Sequence, residues 1–457
     1  MPHKTILVPL AHGMQARNFL MTDVFSRLLA AGTRIILAVP QYKVNYYREL
    51  IASDQVIIEE LAEKPESWLV ARMKNIGINL LHTPTVSWWR ATRWADKKKN
   101  IHYFLEIITS WLGFFYPIRA ALRWLFGLAV DSSQFNRYFS QYKIDAVGLL
   151  DIYSLPDVFL FYAAKRHRVP AICFVRSWDN VTSKGTCLIK PEWLITHNEF
   201  VKQEAAQYIG VKPERIFVSG LPHFDYYYHY QPSVTREEYL KKAGLPENSR
   251  FLLFANASGS FAPIINELLK ILDDAIADQT LPPDLRVLFR FAPNHTIGDR
   301  FYKTERIVFD QPGRHFKEDK KDDWEFNRAD MIYMADSVYY SAVVLNFAST
   351  MTIDAAALDR PVVNIAFDGY TDKDTPHSLR RIYRVAHFKS VLASGGTPKV
   401  ESARELIETV KNYLQNPSLD RPGRAKMVAE QCYKLDGKSG ERTADFILEK
   451  LSEFNHH

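Results

Sequence analysis

Residues 341–369, SAVVLNFASTMTIDAAALDRPVVNIAFDG, restrict this chain to a narrow set of folds. Val343, Val344 and Leu345 form a short β-favouring apolar run. Ser349 and Thr350 can cap a helix reaching about Leu358, and Arg360-Pro361 stops it before a second apolar run at 362–365. This is the pattern of a βαβ unit. In an open parallel sheet, ligands sit beyond the carboxyl ends of the strands, where helix N-termini offer unpaired N–H groups to anions. Ser349 and Thr350 would stand at such an end. Asp354, one turn further on the same face, could accept hydrogen bonds from ribose hydroxyls. The same pattern also fits a capped crossover helix that binds nothing.

The rest of the chain repeats the alternation. A strand at 5–10 is followed by Ala11-His12-Gly13, and a single helix is expected over 17–31, closed by Gly32, before a strand at 34–39. No GxGxxG sequence joins them, so a dinucleotide-binding site gets no support. A third strand is expected at 55–60 and a helix at 65–75. Further strands follow at 144–150, ending at Asp151, and at 171–175, 193–196 and 215–219. Arg176, Ser177, Asp179, Asn180 and Lys184 crowd the loop after the second of these, where such a sheet places ligands. The aromatic run 226–232 reads as a linker, and a second α/β series begins beyond it. There Ser258 caps a helix, Arg290 and His295 lie near a strand end where they could meet phosphate, and a helix is expected over 324–335. With 457 residues the chain exceeds one ordinary core. The expectation is an α/β protein of two doubly wound Rossmann-like domains, 1–232 and 233–439, followed by a helix over 440–457.

One window departs from this pattern. Residues 84–130 hold five of the nine tryptophans and seven Lys or Arg against two acidic residues, which is +5 of the total net charge of +6. Within an insertion of about 84–142, Pro117, Arg119 and Arg123 interrupt the apolar run at 111–130, so it does not qualify as a membrane span. Aromatic and cationic residues together suit the headgroup layer of an anionic membrane, with Lys97, Lys98 and Lys99 as the attracting cluster. The competing expectation is that these helices pack with their aromatics inward and their charges in water. No nucleic-acid partner is expected. Cys173, Cys187 and Cys432 lack metal-ligand spacing and leave an odd thiol, which suits a reducing cytoplasm and suggests no metal site. The N-terminus has no signal-peptide pattern.

Taken in order, the Ser219-Gly220-Leu221-Pro222-His223-Phe224-Asp225 strand end, Ala348-Ser349-Thr350 with Asp354, and Arg360-Pro361-Val362-Val363 resemble the GT-B glycosyltransferases over nearly the whole chain. More narrowly, His12-Gly13-Met14 with Arg17-Asn18-Phe19-Leu20, the loop from Ser177-Trp178-Asp179-Asn180 to Lys184-Gly185, and Ser349-Thr350 resemble bacterial enzymes of surface-polysaccharide assembly. There is a more distant likeness to CDP-glycerol glycerophosphotransferases and UDP-GlcNAc 2-epimerases. The chain lacks the glycine and glutamate run of the epimerases and the histidine-glycine signature of the teichoic-acid transferases, which leaves the donor open.

The resemblance implies metal-independent transfer from a nucleotide sugar, a UDP-sugar favoured over CDP, CMP or GDP donors, to a lipid-linked glycan or cell-surface polysaccharide. The enzyme would be cytoplasmic and peripheral on the inner face of the membrane. It implies a donor site from Ser258, Arg290, His295, Ser349, Thr350 and Asp354. His12 would be the base, with Asp179 as second choice. Arg17, Asn18, Arg176, Asn180 and Lys184 would line the acceptor side or cleft, and the last helix would cross back to the first domain. A CDP-polyol phosphotransferase, a nucleotide-sugar 2-epimerase and a non-catalytic glycan-binding relic stay open as alternatives.

Overall fold

The computed structural model describes residues 4–61, 64–95, 101–255, 261–291, 301–316, 323–370 and 378–454. The chain divides into two compact units, residues 1–225 with 432–457, and residues 226–431.

The first unit is built on seven parallel strands: β1 (Thr5–Pro9), β2 (Arg34–Val39), β3 (Val56–Glu60), β4 (Ala146–Leu149), β5 (Ala171–Phe174), β6 (Trp193–Thr196) and β7 (Ile216–Val218), in the order β3-β2-β1-β4-β5-β6-β7. Alternate side chains enter two cores. Leu7, Ile36, Val147 and Cys173 face one layer of helices, while Ile6, Val8, Ile35 and Ile172 face the other, so both faces of the sheet are dry. The order reverses between β1 and β4, which leaves a crevice beyond their carboxyl ends.

Ten helices cover the sheet before β6: α1 (Gly13–Leu20), α2 (Asp23–Ala30), α3 (Val44–Leu50), α4 (Trp68–Leu80), α5 (Pro84–Ala95), α6 (Ile101–Leu112), α7 (Tyr116–Ala129), α8 (Asn136–Gln141), α9 (Leu155–Arg166) and α10 (Asn180–Ser183). The single helix expected over 17–31 is two. Thr22 turns its hydroxyl back onto the carbonyls of Asn18 and Phe19, ending α1, and its extended backbone starts α2. The helix expected at 65–75 begins later and runs longer, because the Ser67 hydroxyl caps it by accepting from Val70 N–H. The C-terminal helix Ser439–Glu453 packs on α2 and sends Phe446, Ile447 and Leu451 into the first unit's core. Asp225 holds its N-terminus, accepting from Ser439 N–H at 3.0 Å and Gly440 N–H at 2.7 Å.

The second unit has six parallel strands, β8 (Arg250–Ala255), β9 (Leu285–Arg290), β10 (Ile307–Asp310), β13 (Val343–Asn346), β14 (Val362–Ile365) and β15 (Lys399–Val400), in the order β10-β9-β8-β13-β14-β15. A small antiparallel pair, β11 (Arg314–His315) and β12 (Trp324–Glu325), stands apart from it. The helix expected over 324–335 therefore starts later, as Arg328–Tyr340. Asn327 and Asp330 form a reciprocal capping box there, which fixes the helix start after β12. Tyr230 bonds the Asp336 carboxylate, to which Ser233 Oγ donates at 2.6 Å, so the aromatic run 226–232 is folded onto this unit. Its order reverses between β8 and β13.

Candidate functional site

At the first unit's switch point, the residues directly after three neighbouring strands converge. His12 follows β1 and opens α1, Asp151 follows β4, and Arg176 follows β5. Arg176 Nη1 lies 3.0 Å from His12 Nε2 and 3.1 Å from Asp151 Oδ2, and His12 Nε2 is 3.8 Å from the same carboxylate oxygen. A guanidinium only donates, so Nε2 accepts in the Arg176 contact, and it donates towards Asp151 only when it carries the proton. Burial works to raise the Asp151 carboxyl. His12, Arg176 and the Tyr153 N–H outweigh it and hold the carboxyl below its ordinary value. Asp151 therefore stays charged beside His12.

A second carboxyl lies behind it. Asp157, fully enclosed in α9, accepts from Gln15 Nε2 at 2.8 Å and from Asp151 N–H at 3.0 Å. Burial and the Asp151 charge push it up to about 8, so it is protonated at neutral pH. Gln15 also accepts from Ala11 N–H at 2.8 Å, which fixes the turn that presents His12. Beside this cluster a recess of about 50 Å³, room for a few waters, is lined by Asn18, Arg176, Thr196, His197 and His223 among others. Burial holds His197 down to about 3, and burial with Arg17 and His197 nearby holds His223 well below its usual value.

Of the expected residues in this unit, His12, Asn18 and Arg176 come together, with Arg17 held against Asn18 by a 3.0 Å bond. Asp179 accepts from Ser183 Oγ, and Asn180 Oδ1 accepts from Ser177 N–H at 2.8 Å, so both shape the loop. Lys184, expected on the acceptor side or cleft, lines a separate hollow with Lys74, Ile78 and Tyr153. Asp151, Asp157, Gln15, His197 and His223 were not singled out from sequence. Asp151 had a usable signal, since it follows an apolar strand as His12 and Arg176 do.

In the second unit the turn 347–350 lies after β13, beside the switch point. Asn364 Oδ1 accepts from Ala348 N–H at 3.1 Å, and Asn364 Nδ2 donates to Thr352 and Thr397 hydroxyls. Ala348 is held at φ +46°, a left-handed conformation unusual for a side-chain-bearing residue. The helix Met351–Ala357 begins there. Ser349 Oγ accepts from Met351 N–H and keeps its own proton to donate, while Thr350 is exposed and makes no capping bond. Asp354 accepts from Tyr227 O–H at 2.7 Å. Arg290, expected on the donor side, has a buried guanidinium bonded to Asp310 at 2.7 Å and to Ser337 at 2.6 Å, so its charge is neutralised inside the unit. Ser258 and His295 lie outside the described residues, as do Lys97, Lys98 and Lys99. Among the described residues no group of three or more His, Cys, Asp or Glu could hold a metal ion.

No protein-family model and no curated protein matches the sequence. Solved structures do match along the whole length. A glycosyltransferase from Rickettsia africae aligns over 100% of both chains at 12% identity and TM-score 0.52. A Neisseria meningitidis UDP-GlcNAc 2-epimerase bound to UDP-GlcNAc aligns over 97% of this chain and 100% of its own, at 13% and 0.56. The S. aureus MnaA–UDP co-structure aligns over 98% and 97%, at 11% and 0.57. The fold is GT-B. Glycosyltransferases and UDP-GlcNAc 2-epimerases share it, and at this identity the likeness establishes the fold of this GT-B protein rather than its reaction.

In the insertion of this GT-B chain, the expected packing of aromatics inward and charges in water does not hold throughout. Arg119 and Arg123 are buried, while Trp111, Trp124 and Leu128 are 61%, 65% and 66% exposed. Arg119 donates to the Tyr208 carbonyl at 2.6 Å, and Arg123 donates to those of Cys187 and Ile209 at 2.7 and 2.8 Å. Tyr208 and Ile209 close a helical segment that starts at Glu199, so the arginines satisfy orphan carbonyls at its negative end. No described helix is long and apolar enough to cross a membrane.

Proposed function

We propose that this protein transfers a glycosyl group from a nucleotide sugar, a UDP-sugar by preference, to a lipid-linked glycan or cell-surface polysaccharide acceptor without a catalytic metal. The observation that carries this is the His12–Asp151–Arg176 cluster at the switch point of the first unit. His12 takes the acceptor hydroxyl proton on Nε2 once Arg176 rests on Asp151 alone, a contact it already makes. The Asp151 carboxylate then stabilises the imidazolium, as a buried carboxylate does for a histidine base. The leaving diphosphate is received in the second unit by Ser349, Thr350 and the N–H groups of their turn, which meet charge as it develops. Asp354 accepts from the ribose hydroxyls.

The decisive experiment incubates the full chain with UDP-sugars and lipid-linked glycan acceptors and follows UDP release with mass analysis of the acceptor. Acceptor-dependent release with mass gain, lost in His12→Ala, is the expected result; no turnover of any nucleotide sugar with any acceptor would refute the proposal. The neighbouring 2-epimerase bound to UDP-GlcNAc favours a second reading, 2-epimerisation. It is distinguished by an epimeric product formed without acceptor.

A further inference from the structure

We infer that the α6–α7 hairpin, with the cation-lined groove beside it, seats in the surface of an anionic phospholipid bilayer, the groove receiving a lipid phosphate. Spacing shows how the apolar face is built. Ile101, Leu105, Ile108 and Trp111 fall on one stripe of α6, Trp124 and Leu128 on one stripe of α7, and all six are exposed. Phe114, against Trp111, and Phe115 are exposed at the bend between the two helices. Exposed apolar surface of this kind marks an interaction site. The one acidic residue of these helices, Glu106, is neutralised by Arg93 and bonded by Trp94 Nε1 at 2.8 Å.

The groove beside α7 has a volume of about 490 Å³. Arg123, Lys165, Arg166 and Lys190 line it with Trp124 and Leu128, and no Asp or Glu does. Among the described residues none of the four cations has a carboxylate partner: Arg123 and Arg166 reach carbonyls and a serine hydroxyl, and Lys190 reaches Tyr116 O–H at 3.0 Å. Arg123, only 7% exposed, keeps Nη1 without a hydrogen-bond partner. A phosphate oxygen satisfies that donor and neutralises the cluster, and acyl chains continue along the exposed stripes.

A bilayer fits better than a second copy of the chain, which would bring two such cation clusters together. Helices of 12 and 14 residues extend only about 18 and 21 Å, too short for a roughly 30 Å hydrocarbon core, so the hairpin lies in the interface. Lys165 and Arg166 end α9 and Lys190 precedes β6, which sets the groove at the amino edge of the sheet, opposite His12 and Asp151. It is therefore an anchoring site, distinct from the crevice, and its test needs no nucleotide sugar.

The test is flotation of the full chain with phosphatidylcholine vesicles, with and without about one-third phosphatidylglycerol, at 0.1 M salt. The wild type should float with the anionic vesicles. Trp124→Ser/Leu128→Ser should weaken partitioning about tenfold or more on both vesicle types. Lys165→Gln/Lys190→Gln should lose about fivefold per cation on anionic vesicles only, a loss that high salt reproduces. All four side chains are exposed, so melting temperatures should stay at the wild-type value. Failure of the wild type to float, or flotation unaltered in the Trp124 and Leu128 variant, would overturn the inference. So would a solution dimer that the same variant dissociates.

Discussion

At the scale of single residues, His12 stands beside one charged carboxylate, Asp151, with the protonated carboxyl of Asp157 behind it. Replacing His12 by Ala should lower turnover about 10²- to 10⁴-fold while nucleotide binding persists, as steady-state kinetics and titration would report. Loss of nucleotide binding would instead make His12 structural. Asp157 gives a pH signature. Its folded value of about 8 lies above the usual carboxyl range, so the native state holds a proton that the unfolded chain gives up, and stability falls as pH rises towards 8. His197 acts oppositely, since its folded value of about 3 makes stability fall as pH drops below about 6.5. Between pH 6.5 and 8 the Asp157 effect stands clear of His197. There the melting advantage of Asp157→Asn over wild type should widen, by at most about 1.4 kcal/mol per pH unit. A constant difference would mean that Asp157 is ionised in the native state. His12 and Arg176 could be read from sequence because each follows an apolar strand. Arg290, the last residue of its strand, has its charge taken by Asp310 at the end of the neighbouring strand, a pairing that sequence order does not reveal.

At the scale of elements, the C-terminal helix Ser439–Glu453 depends on two local features. Asp225 satisfies two buried N–H groups at its start, so Asp225→Ala should cost about 2 kcal/mol or more and lower the melting temperature by several degrees. Gly440 packs where a Cβ would stand 2.9 Å from Asp23 Cβ and 3.2 Å from its backbone nitrogen. Gly440→Ala should therefore destabilise by about 1–3 kcal/mol, measured by thermal unfolding. Unchanged melting in both variants would show that this helix contributes little to the first unit. Element boundaries were less legible than element existence. The split between α1 and α2 is decided by one hydroxyl at Thr22, and the start of Arg328–Tyr340 by the Asn327–Asp330 box. Hydrophobic periodicity sees neither. In α7 the usual polar-out pattern is broken, because Arg119 and Arg123 serve carbonyls inside, beside Leu122 and Phe126, while Trp124 and Leu128 stay outside.

At the scale of the molecule, two doubly wound units were readable because short apolar strands separated by capped helices admit few other arrangements. The switch points then follow from strand order, and they fix where His12, Asp151 and the turn after β13 must lie. What the sequence withheld was side-chain direction, which separates Lys184 from the crevice and turns the tryptophans outward. The central claim is that this fold takes a nucleotide sugar, and thermal shift tests it most directly. The wild type and a Ser349→Ala/Thr350→Ala variant would be melted with millimolar UDP, GDP, CDP, CMP, ADP or dTDP. A ligand present at about 100 times its Kd stabilises by about 2.7 kcal/mol, enough to move the midpoint by several degrees. The account predicts stabilisation by UDP above the others, lost in the variant. No shift with any nucleotide would contradict it.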